Sequence, residues 1–166
     1  MEINWYPGHM AKAKRLLSEQ LGRVDLVVEL CDARLPYASR NPDLDKLIGN
    51  KRRVLLLNKA DLADTGATSA WLNYFRAQGL DAVSYNASAG KAMDAMAVIE
   101  RAARETVERA ALKGVRKTVK AMVVGVPNVG KSTFTNKLHG GAIAKTGDRP
   151  GVTRSNQWVR ITPYLE

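Results

Sequence analysis

The sequence has 166 residues, 45% of them hydrophobic, a single cysteine, and 26 lysines and arginines against 16 acids, a formal net charge of +10. That size fits one domain, or one domain with a short appendage, and the apolar content excludes a disordered chain. The lone Cys31 excludes an intramolecular disulfide framework and a cysteine-rich zinc site, and no apolar run approaches the ~20 residues of a membrane span.

The opening MEINWYPGHMAKAKR lacks the apolar core of a signal peptide, so a soluble protein of the reducing cytoplasm, with no membrane partner, is expected. Met10, Ala13, Leu17 and Leu21 recur at helical spacing and Gly22 follows as a stop, which predicts an N-terminal helical extension over 1–22 and a main domain over 23–166. Residues 24–31 form a mostly apolar, β-branched run suited to a buried parallel strand. Asn41-Pro42 starts a short helix that Gly49 ends, and residues 54–57 are a second buried strand. A helix over 68–78, stopped by Gly79, precedes a short strand at 82–85. Met93, Met96, Ile99, Ala103, Val107 and Ala110 mark the apolar stripe of a long amphipathic helix. Residues 119–124 read as another buried strand, 132–138 as a helix, and 156–162 as a last, more polar strand. Helix and strand in alternation predict a three-layer α/β fold with a mainly parallel sheet.

Charge is unevenly placed. Residues 101–166 carry 13 basic and 4 acidic side chains, +9 of the +10. Such a density serves either a solvated helix face or a polyanion, nucleotide phosphate or RNA, and charge alone does not choose. The stretch 101–120 is where a surplus would meet RNA.

In a parallel sheet, ligands bind beyond the carboxyl ends of the strands. After the fourth strand, Gly125-Val126-Pro127-Asn128-Val129-Gly130-Lys131-Ser132 fits G-x-x-x-x-G-K-S/T in full, between a strand and a helix. Its glycines let backbone N–H groups curl around a phosphate, and the helix N-terminus adds a positive dipole end. Lys131 would bridge the β and γ phosphates, Ser132 would hold Mg²⁺, and Thr133 would add a donor near the α-phosphate. After the second strand comes Asn58-Lys59-Ala60-Asp61. A carboxylate at Asp61 can accept from guanine N1–H and the N2 amine, a donor pair adenine lacks. The Lys59 stem can cover the base, and Asn58 can tie this loop to the phosphate loop. Asn86-Ala87-Ser88-Ala89-Gly90 is similar to the S-A-x-x-G segment whose backbone reads guanine O6, with Asn86 in place of Ser; a plain turn is the alternative.

These motifs occur in translation-factor-type GTPases, but there the phosphate loop comes first. With NKAD and NASAG ahead of GVPNVGKS, the order is that of a circularly permuted domain. Together with Trp5-Tyr6-Pro7-Gly8-His9-Met10 and Asp32-Ala33-Arg34-Leu35-Pro36, it resembles the ribosome biogenesis GTPase A family over essentially the whole chain. The resemblance implies a P-loop GTPase fold binding GTP and GDP with Mg²⁺, and GTP hydrolysis coupled to maturation of the large ribosomal subunit, whose rRNA and proteins would be the partners. It implies that Thr153, in Pro150-Gly151-Val152-Thr153-Arg154, coordinates Mg²⁺ as the switch threonine, and that Asn128 accompanies a potassium ion; a loop-stabilising amide is the alternative there. It also implies that His9 helps position the attacking water, the alternative being an exposed histidine without catalytic duty.

Asp148-Arg149-Pro150-Gly151 matches D-x-P-G in letters but lacks the buried strand that should precede that γ-phosphate sensor, and GDRPGVT matches the family's first switch instead. The reading is therefore a domain cut short before the true D-x-P-G. On that reading, the phosphate-loop strand is left as an exposed sheet edge, residues after about 140 are disordered, displaced or paired elsewhere, and hydrolysis is poor. Two other readings stand beside this one: a non-catalytic RNA- or ribosome-binding module with residual guanine nucleotide affinity, and a P-loop ATPase with a coincidental NKAD.

Overall fold

A computed structural model describes residues 8–86, 93–126, 128–138 and 161–166. Its strands are β1 (Leu26–Asp32), β2 (Arg52–Asn58), β3 (Asp81–Ser84) and β4 (Ala121–Val124), and its helices α1 (Gly8–Leu21), α2 (Pro42–Ile48), α3 (Thr65–Ala77), α4 (Met93–Ala111) and α5 (Lys131–Leu138). The strands form one sheet in the order β3-β2-β1-β4, and every pairing is parallel.

The central strands are apolar on both faces because both faces are covered. On one side Leu26, Val28 and Leu30 of β1, with Val54 and Leu56 of β2, meet Ala95, Ile99, Ala102 and Ala103 of α4 and Phe134 of α5. On the other, Val27 packs with Leu21, Leu44 and Ile48 of α1 and α2, while Cys31, Leu55 and Leu57 pack with Phe75 of α3. Successive residues of a strand point to opposite faces, so one seven-residue strand feeds both layers. The α4 stripe carries Ala95 and Ala102 in addition to the apolar positions that helical spacing picks out, and both are fully buried. Small side chains there let the helix lie close to the sheet.

Helix starts follow their caps. Asn41 accepts a 3.0 Å hydrogen bond from the Asp43 amide, with Pro42 in the first turn. Asp64 accepts one of 2.7 Å from Ala67, so α3 begins three residues ahead of the start expected at Thr68.

Glu29 lies in the middle of β1 and is fully buried. A charge there is tolerable only with partners. The Arg40 guanidinium supplies them in a bidentate pair, Nε to Oε1 at 3.1 Å and Nη2 to Oε2 at 3.0 Å. Arg40 also donates to Asp45 and lies 5.3 Å from the Phe75 ring centroid, and Asp45 in turn pairs with Arg53. The loop between β1 and α2 is thereby clamped onto the sheet.

Among the described residues β4 is the last strand of the sheet, as expected of an edge, but its start is covered. The chain does not leave 119–121 as an open edge: Val119 donates to Tyr164 O at 2.8 Å, Glu166 to Val119 O at 2.9 Å, and Ala121 to Glu166 O at 2.8 Å. A tight turn makes this possible, with Thr162 bridging antiparallel to Leu165, and Leu165 is only 2% exposed within the α4-side core. Burying leucine is worth roughly 1.5–3 kcal/mol, which favours docking of the segment over its displacement. The expectations for 139–160, including most of the polar strand at 156–162, lie outside the described residues.

Candidate phosphate and base site

The sheet register brings the site loops together. β1 and β2 run in step to their carboxyl ends, Asp32 opposite Asn58. β4 stops earlier, with Val124 opposite Glu29, so the loop after it turns beneath the end of β1. Gly125 makes that turn possible, because a Cβ there would lie 2.8 Å from the Leu30 carbonyl oxygen and from Cγ2 of Val129.

Two hydrogen bonds join the loop after β2 to the loop after β4. Asn58 is 2% exposed, and its Nδ2 donates to Val129 O at 2.8 Å. Lys59 Nζ donates to Asn128 O at 2.8 Å. Lys59 and Asn128 both adopt left-handed backbone conformations, φ 60° and 66°. Asparagine tolerates that region, whereas for lysine it is costly and is kept where surrounding contacts enforce it. Gly130, at φ 95°, sits so close to Asn58 that a Cβ would collide with Nδ2.

Lys131 starts α5, and its half-buried ammonium donates to Gly125 O at 2.5 Å and Val126 O at 3.4 Å. Burial lowers its pKa, since desolvation disfavours the cation. Ser132 and Thr133 are exposed on the first turn of α5. Phe134 fixes the helix from below, fully buried and edge-on to Tyr85 with centroids 5.5 Å apart. Phosphate would therefore meet backbone amides at a helix N-terminus, one ammonium and two hydroxyls, which is chemistry suited to a polyphosphate.

Asp61 is exposed in a short 3-10 turn, Ala60–Leu62. That turn is held to the segment after β3 by Ala60 N donating to Tyr85 O at 3.2 Å, and Asn86 follows directly. Asn58, Lys59, Asp61, Asn86, Asn128, Val129, Gly130, Lys131, Ser132 and Thr133 thus all lie at the carboxyl end of the sheet or just beyond it. His9 lies on the first turn of α1 by its backbone, with its side chain outside the described residues. Ala87, Ser88 and Thr153 are outside them too.

Sequence reasoning missed the part Asp32 plays here. Its carboxylate accepts from Arg34 three times: from the backbone amide at 2.9 Å, Nε at 3.0 Å and Nη2 at 2.7 Å. Those bonds, aided by charge from Arg34 and Lys59, outweigh burial and hold its pKa at about 2. An acid at the end of a buried strand, two residues before an arginine, was the available signal.

The basic stretch 101–120 is partly spent within the fold. Lys117 pairs with Asp25 at 2.6 Å, Arg101 with Asp81 at 3.6 Å and Lys120 with Glu166 at 3.8 Å. Arg109, Lys113 and Arg116 are exposed. Among the described residues no helix is long and apolar enough to cross a membrane, and no group of three or more His, Cys, Asp or Glu side chains could hold a metal.

Known proteins share this pattern. A family profile described as 50S ribosome-binding GTPase matches residues 120–165. Ribosome biogenesis GTPase A of Priestia megaterium is 49% identical over 169 residues, a match covering 100% of this chain and 59% of the relative. The protein of that name in Thermotoga maritima is 36% identical, covering 96% of this chain and 54% of the relative. A crystal structure of GNP-bound YlqF from T. maritima superposes at a TM-score of 0.59, and a GDP-bound structure of YlqF at 0.57. Their identities are 32% and 31%, over 78% and 76% of this chain and 48% of each YlqF chain. The fold is that of a P-loop GTPase, and the chain spans under two thirds of the length of the curated relatives it matches.

Proposed function

Because the chain belongs to the ribosome biogenesis GTPase A family, we propose that it binds GDP and GTP through the loops after β2 and β4, and that the whole protein hydrolyses GTP during ribosome assembly. The observation that carries the reading is the pair of bonds from Asn58 to Val129 and Lys59 to Asn128, which couples a guanine-reading loop to a phosphate loop. A P-loop with a coincidental NKAD would have no reason for that coupling. The description of the matched family profile supports the large subunit as the target.

In this reading Lys131 exchanges its bonds to the Gly125 and Val126 carbonyls for the β and γ phosphates, towards which desolvation has left it poorly compensated. The amides of Val129, Gly130, Ser132 and Thr133 face the phosphates. Asp61 takes the two guanine donors, the Lys59 stem covers the base, and Asn86, Ala87 and Ser88 border it. Ser132 and Thr153 would hold Mg²⁺. The exposed Ser132 hydroxyl at the helix N-terminus fits that ion, a hard cation that takes oxygen ligands. Mg²⁺ would offset the charge that builds on the phosphate oxygens. His9 would orient water, and Asn128 would accompany K⁺. Arg109, Lys113 and Arg116 offer the exposed positive surface for rRNA.

The test is a titration of the 166-residue chain with fluorescent GDP, GTP and ATP, with and without Mg²⁺. Guanine nucleotides should bind and ATP should not, and Asp61→Asn should erode that preference. Equal binding of ATP, or unchanged selectivity in D61N, overturns the base assignment. Salt-sensitive binding to ribosomal particles without nucleotide affinity would favour the non-catalytic module instead.

A further inference from the structure

Lys59 has two partners, and only one belongs to the phosphate loop. Its Nζ lies 2.8 Å from Asn128 O and 3.5 Å from Oδ2 of Asp32, which comes from a third loop. Asp32 in turn is gripped by the Nε, Nη2 and backbone amide of Arg34. The chain of contacts runs Arg34, Asp32, Lys59, Asn128, and so crosses the carboxyl ends of β1, β2 and β4. Asp32 is 13% exposed and Lys59 29%, so water screens this pair only partly.

Resting on the guanine-nucleotide reading, we propose that Asp32 and Arg34 are positioning residues for that site, aiming Lys59 at the base and holding the Asn128 carbonyl in place. Three features support this. Lys59 occupies a left-handed backbone region, φ 60°, which a lysine does not keep by local preference. A lysine stem is flexible, and holding its ammonium between Asn128 O and Asp32 Oδ2 narrows the paths open to the stem. Arg34 approaches Asp32 through a planar fork, which orients the carboxylate so that Oδ2 is shared with Lys59. The proposal assigns neither residue a contact with nucleotide.

The test is a double-mutant cycle on nucleotide affinity, with Asp32→Asn, Lys59→Met and the pair. D32N keeps the shape and removes the charge, and K59M keeps most of the stem. D32N should weaken GDP and GTP alike, on the order of five- to tenfold, with preference over ATP retained because Asp61 is untouched. In the K59M background D32N should change affinity less than twofold. Arg34→Ala should reproduce a smaller part of the D32N effect, and Arg34→Lys should rescue it incompletely because the fork is lost. A D32N effect of equal size with and without Lys59, or none at all in the wild-type background, overturns the proposal while leaving the guanine reading intact. Failure of the wild-type chain to bind guanine nucleotide overturns both. Unfolding curves of each variant separate the two roles, since a purely structural Asp32 would lower stability without dependence on Lys59.

Discussion

Replacing Gly130 by alanine isolates how the base loop and the phosphate loop are fitted together. At φ 95° an L side chain is strained by about 1–2 kcal/mol. The added Cβ also collides with Nδ2 of Asn58, which is 2% exposed and bonded to Val129 O. Pushing Asn58 aside leaves a buried donor and a buried carbonyl unpaired, about 1–3 kcal/mol more. The expected loss is about 2–5 kcal/mol, a fall in Tm on the order of 10 °C for a chain of this size. Urea denaturation of nucleotide-free protein measures it directly. The decisive comparison is the same substitution in Asn58→Ala, where the obstructing amide is gone and only the strain of about 1–2 kcal/mol should remain. An equal cost in both backgrounds, or a single-mutant cost under about 1 kcal/mol, would refute the claim that Asn58 is what Gly130 must accommodate.

Arg40→Leu should destabilise by about 3 kcal/mol in urea, because buried Glu29 loses its bidentate partner and Arg53 lies 3.8 Å away, and adding Glu29→Leu should recover much of the loss. Cys31 provides a pH test. Burial, with charge from Glu29, pushes its thiol up to about 12 from an ordinary 9.0, so the folded form keeps its proton where the unfolded form ionises. Stability from this group is full below pH 9 and is lost as pH rises towards 12. The slope of unfolding free energy against pH between 9 and 11 should be steeper in the wild type than in Cys31→Ala, and equal slopes would contradict the burial.

Much of the layering was legible in the residues. The alternation of apolar runs with 3.6-residue periodicity gives parallel strands and covering helices, because a strand with both faces apolar can be satisfied only between two layers. The phosphate and base loops were legible because glycine, lysine and aspartate at fixed spacing answer to phosphate and guanine chemistry, which is local. Glu29 was not legible as a buried charge, since its partner Arg40 comes from a loop whose path the pattern does not encode. The docking of Leu165 beside β4 was missed for a similar reason. A single leucine at 165 carries no periodicity, and its value lies in packing against α4 residues and pairing beside Val119.

The sequence by itself determined which side chains could handle a nucleotide, and in what order the loops that carry them occur. Those properties reside in residue type and short spacing. The tertiary structure decided how the loops are joined: Asn58 to Val129 across 71 positions, Lys59 to Asn128 across 69, and Asp32 to Lys59 from a third strand end. Such bonds depend on strand register, and register is set by packing of the whole sheet against two layers of helices rather than by any segment that takes part in them.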